Sequence, residues 1–78
     1  MIKKNYEKKI VVQSISNIDN TLCVDIFKRA DKSFGFEEYR RDSESNDGWY
    51  KIGWFSYLCF SSECEAYQNA CKNIVWLD

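Results

Sequence analysis

Residues 21–41, TLCVDIFKRADKSFGFEEYRR, contain two predicted strands, and this stretch decides the fold. Along its first half, residues 21–29, apolar and polar side chains alternate as they do in a half-buried strand. The side that we expect to face the core carries Leu22, Val24 and Ile26. Residues 34–41 alternate in the same way, and one side of that strand carries Phe34, Phe36, Glu38 and Arg40. Because only a short polar turn at residues 30–33 separates the two strands, they are expected to pair antiparallel.

Further strands flank this pair. Residues 6–16 predict a strand before it, which ends in an Asn- and Asp-rich turn at residues 17–20. After a polar loop at residues 42–48, residues 49–57 predict a fourth strand, in which Gly53 indicates a bulge or the close approach of another segment. Regular alternation along this strand places Tyr50, Ile52 and Trp54 on one face, and Trp49, Lys51 and Phe55 on the other.

The C-terminal segment predicts an amphipathic helix. Ser62 followed three residues later by Glu65 is typical of a capping box. An apolar stripe follows at helical spacing, made of Ala66, Tyr67, Ala70, Cys71, Ile74 and Val75. Trp76 and Leu77 are expected to complete the core. The predicted fold is therefore α+β: a three- to four-stranded antiparallel β-meander with one C-terminal α-helix packed on one face.

The size and composition indicate one folded domain. The 78 residues are 45% hydrophobic and 29% charged, which is typical of a globular chain and far from disorder. We therefore expect a single domain over residues 1–78, with residues 1–5 frayed. The net charge of −1 provides no overall field that would recruit nucleic acid or acidic lipid.

Neither the N-terminal residues nor the rest of the chain resembles a signal peptide or a membrane span, so we expect a cytoplasmic protein without membrane contact. In that compartment the four cysteines, Cys23, Cys59, Cys64 and Cys71, are expected to be free thiols. Disulfides and a metal site are the alternatives. The spacing of the last three cysteines fits no common zinc pattern and the chain has no His, so we predict neither a metal nor a cofactor.

Several short strings together look like a family of small uncharacterised bacterial proteins. They are Gly35-Phe36-Glu37-Glu38-Tyr39-Arg40-Arg41-Asp42, Gly48-Trp49, Phe60-Ser61-Ser62-Glu63-Cys64-Glu65-Ala66 and Val75-Trp76-Leu77. In that family a meander with a similar third strand is followed by a capped helix that ends in a Trp-Leu pair. The resemblance covers residues 20–78 and implies the βββ(β)α fold, but it carries no activity.

The residues that could support catalysis favour structural roles. Glu37 and Glu38 are neighbours on a strand, so they point to opposite faces and suit cross-strand ion pairing better than paired acid–base work. Cys64, near the start of the helix, is the one plausible reactive thiol, and a partly buried structural cysteine is the competing interpretation. Since the chain also has no His and no Gly-rich phosphate loop, we predict that it is not an enzyme.

The aromatic residues point to binding. Eight rings lie on or beside the last two strands: Phe34, Phe36, Tyr39, Trp49, Tyr50, Trp54, Phe55 and Tyr57. One helix covers only one face of a sheet, so some rings should fall on the uncovered face. Interface centres are enriched in Trp, Tyr and Arg. We therefore predict a contact surface for another protein or for a second copy in a homodimer, made of Arg40, Arg41, Trp49, Tyr50, Trp54 and Tyr57.

Two other functions remain open at this point. A small acidic inhibitor of the immunity type would present its carboxylates to a basic partner, namely Glu37, Asp42, Glu44 and Asp47. A single-strand nucleic-acid binder would stack bases on the rings. The acidic neighbourhood, in which Arg40, Arg41 and Lys51 are the available cations, disfavours nucleic acid.

Overall fold

Four antiparallel strands and one helix make up the computed structural model, which describes residues 9–42, 48–55 and 57–77. The bounds are β1 Ile10–Ser16, β2 Leu22–Lys28, β3 Phe34–Arg40, β4 Tyr50–Gly53 and α1 Glu63–Asn73, followed by a 3-10 turn at Val75–Leu77. The sheet has the order β1-β2-β3-β4, a meander, with the helix on one face. The predicted α+β meander with one C-terminal helix is confirmed. The residues predicted to be frayed, 1–5, lie outside the described residues, as do residues 6–8 of the predicted first strand, residues 43–47 of the predicted loop and residue 56 of the predicted fourth strand.

The core forms between the helix and one face of β2 and β3. Val24 pairs with Glu38 and Ile26 pairs with Phe36 across these strands, so their side chains share a face. The side expected to face the core does so, because Val24, Ile26 and Phe36 are completely buried against the helix. Partly buried side chains close the rim of this core: Ile15, Phe34, Phe55, Leu58, Phe60, Trp76 and Leu77.

The helix begins at the predicted cap. The Ser62 side chain accepts a hydrogen bond of 3.1 Å from the backbone amide of Glu65. The Glu65 carboxylate accepts from the amide and hydroxyl of Ser61, one residue earlier than in a capping box, at 3.1 and 2.7 Å. Both contacts satisfy donors near the helix start, where a carboxylate also complements the helix dipole.

The buried stripe of the helix is narrower than predicted. Ala66, Ala70 and Ile74 are buried, whereas Tyr67 and Val75 are 36% and 93% exposed. Positions four residues apart line the contact, and the small side chains of the two alanines let the helix lie close to the sheet. The side chains beside this line consequently turn toward solvent.

The last strand is shorter than predicted, and it contains a bulge. Tyr39 pairs with Lys51 and Glu38 pairs with Gly53, so Ile52 is an extra residue in the ladder. Beyond Gly53 the chain leaves the sheet, and the Phe55 ring packs on Phe36 with centroids 4.8 Å apart. The predicted strand over residues 49–57 is thus confirmed only for Tyr50–Gly53.

The bulge also reverses the faces of the residues that follow it, because one extra residue changes the parity of the alternation. Phe55 enters the core on the helix side. Trp54 lies on the opposite side, where the Lys51 ammonium sits 5.0 Å from its ring centroid. The predicted sharing of faces by Trp54 with Tyr50, and by Phe55 with Lys51, was therefore wrong.

The close approach at Gly53 leads to a stability prediction. A Cβ added there would lie 2.6 Å from Cε2 of Phe55 and 2.7 Å from Cβ of Glu38, and neither atom is the far end of a flexible chain. We expect Gly53→Ala to lower the free energy of unfolding by about 1–3 kcal/mol, as overpacked cores do. Urea unfolding measures this loss. The exposed strand substitution Gln13→Ala is the control, for which a change within about 0.5 kcal/mol is expected. Equal stability of the two variants would contradict the close packing around Gly53.

Candidate functional site

Exposed aromatic side chains concentrate along the β4 edge of the sheet. Trp49 is 40% exposed, Tyr50 44%, Trp54 67% and Tyr57 76%. Ile52, the bulged residue between them, is 39% exposed. We call this set the aromatic edge: Trp49, Tyr50, Ile52, Trp54 and Tyr57. β4 is the last strand in the sheet order, so these side chains border a strand with one neighbour among the described strands.

Two cations lie over rings of the aromatic edge. The Arg41 guanidinium is 4.8 Å from the Trp49 ring centroid, and the Lys51 ammonium is 5.0 Å from that of Trp54. Such cation–π contacts hold a long side chain in place while its charge stays near water. Trp49 and Trp54 are therefore each presented together with a positive charge.

The six residues predicted as a contact surface fall into three groups. Arg41, Trp49 and Trp54 lie on the side of the sheet without the helix. Arg40 and Tyr50 form a cross-strand pair on the other side, and the side chain of Arg40, 55% exposed, bonds Asp42 at 3.5 Å. Tyr57 belongs to the connection between β4 and the helix. The six thus border one edge of the sheet but do not share a single face.

On the helix-free face, one buried carboxylate bonds lysine side chains from both edges of the sheet. Glu37 is 1% exposed, and its oxygens bond the ammonium groups of Lys51 at 2.9 Å and Lys9 at 3.3 Å. The Tyr39 hydroxyl also donates to Glu37 at 3.3 Å. We call Glu37, Lys9 and Lys51 the carboxylate clamp. Lys9 precedes β1 and Lys51 belongs to β4, so the clamp links both edge strands to β3.

The clamp has clear effects on titration. Burial alone raises the pKa of Glu37, but the hydrogen bond from Lys51 and the charges of Lys9 and Lys51 outweigh it and hold the pKa below its ordinary 4.5. For Tyr39, burial and then the neighbouring charge of Glu37 raise the pKa to about 12. At neutral pH the carboxylate is therefore ionised and the phenol is protonated.

Cations also cover the one phenylalanine that β2 turns toward the helix-free face. Phe27 is 2% exposed, with the Lys9 ammonium 4.5 Å and the Arg29 guanidinium 4.9 Å from its ring centroid. Gly35 lies opposite Phe27 in the ladder, and a Cβ there would meet the Arg29 and Phe27 side chains at 2.7 and 2.9 Å. The Phe27 ring is therefore covered by the side chains of Lys9 and Arg29 and offers almost no apolar surface to a partner.

Beyond the clamp, the helix-free face holds an open cavity of about 490 Å³. Its lining comes from β1, β2, β3, the turn before β2, the residue after β3 and the residue before β4: Ser14, Ser16, Asn20, Cys23, Asp25, Tyr39, Arg41 and Trp49. The Asp25 carboxylate accepts hydrogen bonds from Ser14 at 2.7 Å and from the Cys23 thiol at 3.4 Å. Burial raises the pKa of Cys23, so its sulfur is a thiol at neutral pH. Three polar side chains of this lining, Ser14, Cys23 and Asp25, therefore already bond one another.

The other predicted chemical groups are placed as follows. All four cysteines are free, and Cys59 and Cys64 are exposed. Over residues 9–42, 48–55 and 57–77, no cluster of three or more Asp, Glu, Cys or His side chains could hold a metal ion. Within the same ranges, no helix has the length and apolar character to cross a membrane. Of the acidic residues predicted to meet a basic partner, Glu37 is buried in the clamp, Asp42 is 51% exposed beside Arg40, and Glu44 and Asp47 lie outside the described residues.

Sequence reasoning missed the carboxylate clamp. It predicted cross-strand ion pairing for Glu37 and Glu38 but named no partner on another strand. The partner of Glu37 on β4, Lys51, was visible in the sequence as the one lysine of the predicted strand 49–57, which is rich in aromatic residues. The partner before β1 lies twenty-eight positions from Glu37, and no local signal joins the two.

No family model, curated protein or solved structure matches this chain. The resemblance to small bacterial proteins thus stays a prediction, and the site is interpreted from its geometry alone.

The depressed pKa of Glu37 predicts how stability depends on pH. A group whose folded pKa lies below its unfolded value stabilises the fold above the unfolded pKa, and this contribution is lost as the pH falls through the folded pKa. We expect Glu37→Gln to lower the free energy of unfolding by about 2 kcal/mol at pH 7, since it leaves two lysines without their anion. That loss should shrink as the pH drops from about 5 toward the folded pKa.

Urea unfolding of both proteins at neutral and acidic pH measures this difference. Glu63→Gln, at an exposed position in the first turn of the helix, is the matched control. The comparison must be a difference from wild type, because the pKa values of Asp31 and Glu65 are also lowered, mainly by hydrogen bonds from Ser33 and Ser61. If Glu37→Gln lowers the free energy of unfolding by the same amount at every pH, the carboxylate charge contributes nothing to stability.

Proposed function

We propose that this chain is a non-enzymatic protein-binding module and that the aromatic edge is its contact surface. The observation that carries the proposal is the clustering of four large aromatic side chains, each 40–76% exposed, within residues 49–57. Scattered exposed apolar residues are normal on a protein surface, but a contiguous group is typical of an interaction site.

The chemistry of the aromatic edge supports a protein partner. Tryptophan, tyrosine and arginine are the residues that most often carry binding energy at interfaces. Here the cations are held in advance, since Arg41 lies over Trp49 and Lys51 lies over Trp54. Side chains that are ordered before binding lose less conformational entropy when the complex forms.

The size of the aromatic edge suits a modest interface. A fully buried aromatic side chain removes roughly 150–250 Å² from water, so the exposed parts of the four rings amount to about 400–500 Å². A standard interface buries about 800 Å² on each partner. The rings could supply roughly half of one side, and the polar residues around them would supply the rest.

The charges near the aromatic edge favour this function over the two alternatives. Arg40 has Asp42 as a partner at 3.5 Å, and Lys51 shares Glu37, at 2.9 Å, with Lys9, so two of the three cations already have a carboxylate partner. This weakens the attraction for phosphates on which nucleic-acid binding depends. The burial of Glu37 likewise removes one of the carboxylates that an acidic inhibitor would present.

The proposal is tested with the chain itself as bait in a lysate of its source organism. We expect proteins captured by the wild type to fall at least about tenfold with the double variant Trp54→Ala, Tyr57→Ala, because each ring at an interface centre contributes more than about 1 kcal/mol. Quantitative mass spectrometry measures the recovery of each captured protein.

The matched control is the double variant Ile18→Ala, Val75→Ala, which truncates two side chains that are 103% and 93% exposed elsewhere on the surface. Its captured proteins should match those of the wild type. Equal recovery by the edge variant and the control would overturn the proposal. Loss of all partners in about 0.5 M salt would favour the acidic inhibitor, and loss after nuclease treatment would favour nucleic acid.

A further inference from the structure

The strand at the opposite edge of the sheet, β1, presents backbone hydrogen-bonding groups to the outside of the sheet. The Asn17 amide donates to the Leu22 carbonyl at 3.0 Å, which sets the phase of the β1–β2 ladder. Hydrogen-bonded and non-hydrogen-bonded pairs alternate in an antiparallel ladder, so Gln13 and Ile15 bond β2 through their backbones. Ser14 and Ser16 therefore turn their backbone N–H and C=O groups away from the sheet, as an edge strand does.

β1 lacks most features that protect an edge strand from pairing. Its seven residues, IVVQSIS, include no charged residue and no proline. Ile10, Val11 and Val12 are 66%, 53% and 39% exposed. One irregularity between Val11 and Gln13 interrupts the ladder, and the register is regular from Gln13 to Ser16. Natural edges are usually blunted by lysines, prolines, bulges or short length.

The other edge has the protection that β1 lacks. β4 is only four residues long and contains a lysine, neither of which is true of β1, and its bulge at Ile52 falls in the middle of the strand, whereas the irregularity of β1 leaves Gln13 to Ser16 regular. An extended backbone can therefore add to this sheet along β1 far more readily than along β4.

We infer that β1 pairs antiparallel with β1 of a second copy of this chain, which forms a two-fold dimer with one continuous sheet. The uncharged strand brings no like charges together, and the charges at its ends are complementary. Lys9 precedes the strand and Asp19 follows it, and the clamp that Lys9 joins keeps a net positive charge because one carboxylate faces two lysines. Antiparallel pairing therefore brings the positive end of each copy toward the negative end of the other. Parallel pairing would align like charges instead. A two-fold axis requires the antiparallel arrangement.

This dimer goes beyond the proposed function because it uses the other edge of the sheet. It would leave one aromatic edge at each outer end of the joined sheet and so make the module bivalent. Pairing of one seven-residue strand buries well under the roughly 1,200 Å² of a stable interface. The dimer is accordingly expected to be weak, and it should form only at high concentration.

Sedimentation equilibrium from about 10 µM to about 1 mM protein is the test, since weak contacts populate in that range. We expect the wild type to shift toward dimer as concentration rises. Val11→Lys, which puts a charge on the exposed strand, should weaken association at least about tenfold. Ile10→Lys serves the same purpose at a position 66% exposed, should the first variant fail to fold. The double variant Trp54→Ala, Tyr57→Ala should associate like the wild type.

Hydrogen exchange gives a readout that needs no substitution. The amides of Ser14 and Ser16, which point away from β2, should become protected as the protein concentration rises. A wild type that remains monomeric up to about 1 mM overturns the inference. So does a dimer that survives Val11→Lys and Ile10→Lys but is lost in the aromatic-edge variant. Partner capture by the aromatic edge is measured separately, so either proposal can fail without the other.

Discussion

The ion pairs of Glu37 hold together the face of the sheet that the helix cannot reach. A single helix covers one side, and its small-residue stripe closes the core against β2 and β3. On the other side a carboxylate that is 1% exposed bonds one lysine before β1 and another in β4. Losing either lysine would leave a buried charge short of partners, which costs several kcal/mol in a typical interior. The arrangement of the four strands therefore depends on two long side chains reaching inward from the edges.

This polar cover explains how a short chain divides its aromatic residues. On the helix side Phe36 contacts two other core rings, Phe60 in a stacked arrangement and Phe55 in a tilted one. On the open side Phe27 lies under Lys9 and Arg29, whose stems shield it while their charges stay near water. The more amphipathic rings, Trp49 and Trp54, lie at the rim beside cations. Buried area is thus supplied by phenylalanine, and the surface keeps the residues that tolerate both water and contact.

Sequence patterns predicted most of this architecture and only part of the site. Alternation in residues 21–41 identified the core face of β2 and β3, and Ser62 marked the helix start, because both depend on neighbours close in the chain. The exposed segment with its Trp and Tyr residues was also found from the sequence. The sequence did not predict the sides of the sheet on which Trp54 and Phe55 lie, since these depend on the pairing of β4 with β3. The lysine partners of Glu37 were missed for the same reason: they approach it from distant parts of the chain.

The extra residue at Ile52 has an evolutionary consequence. Surface segments usually accept insertions and deletions, and here the bulge absorbs one extra residue between Lys51 and Gly53. Without Ile52, Lys51 would still lie opposite Tyr39 and Gly53 opposite Glu38, so Trp54 and Phe55 would keep their present sides in a regular ladder. Pairing of the present length without a bulge would instead turn Trp54 toward the helix and Phe55 into water. Descendants of this chain are therefore free to lose the bulged residue, and a one-residue deletion at Ile52 should survive as point changes there do.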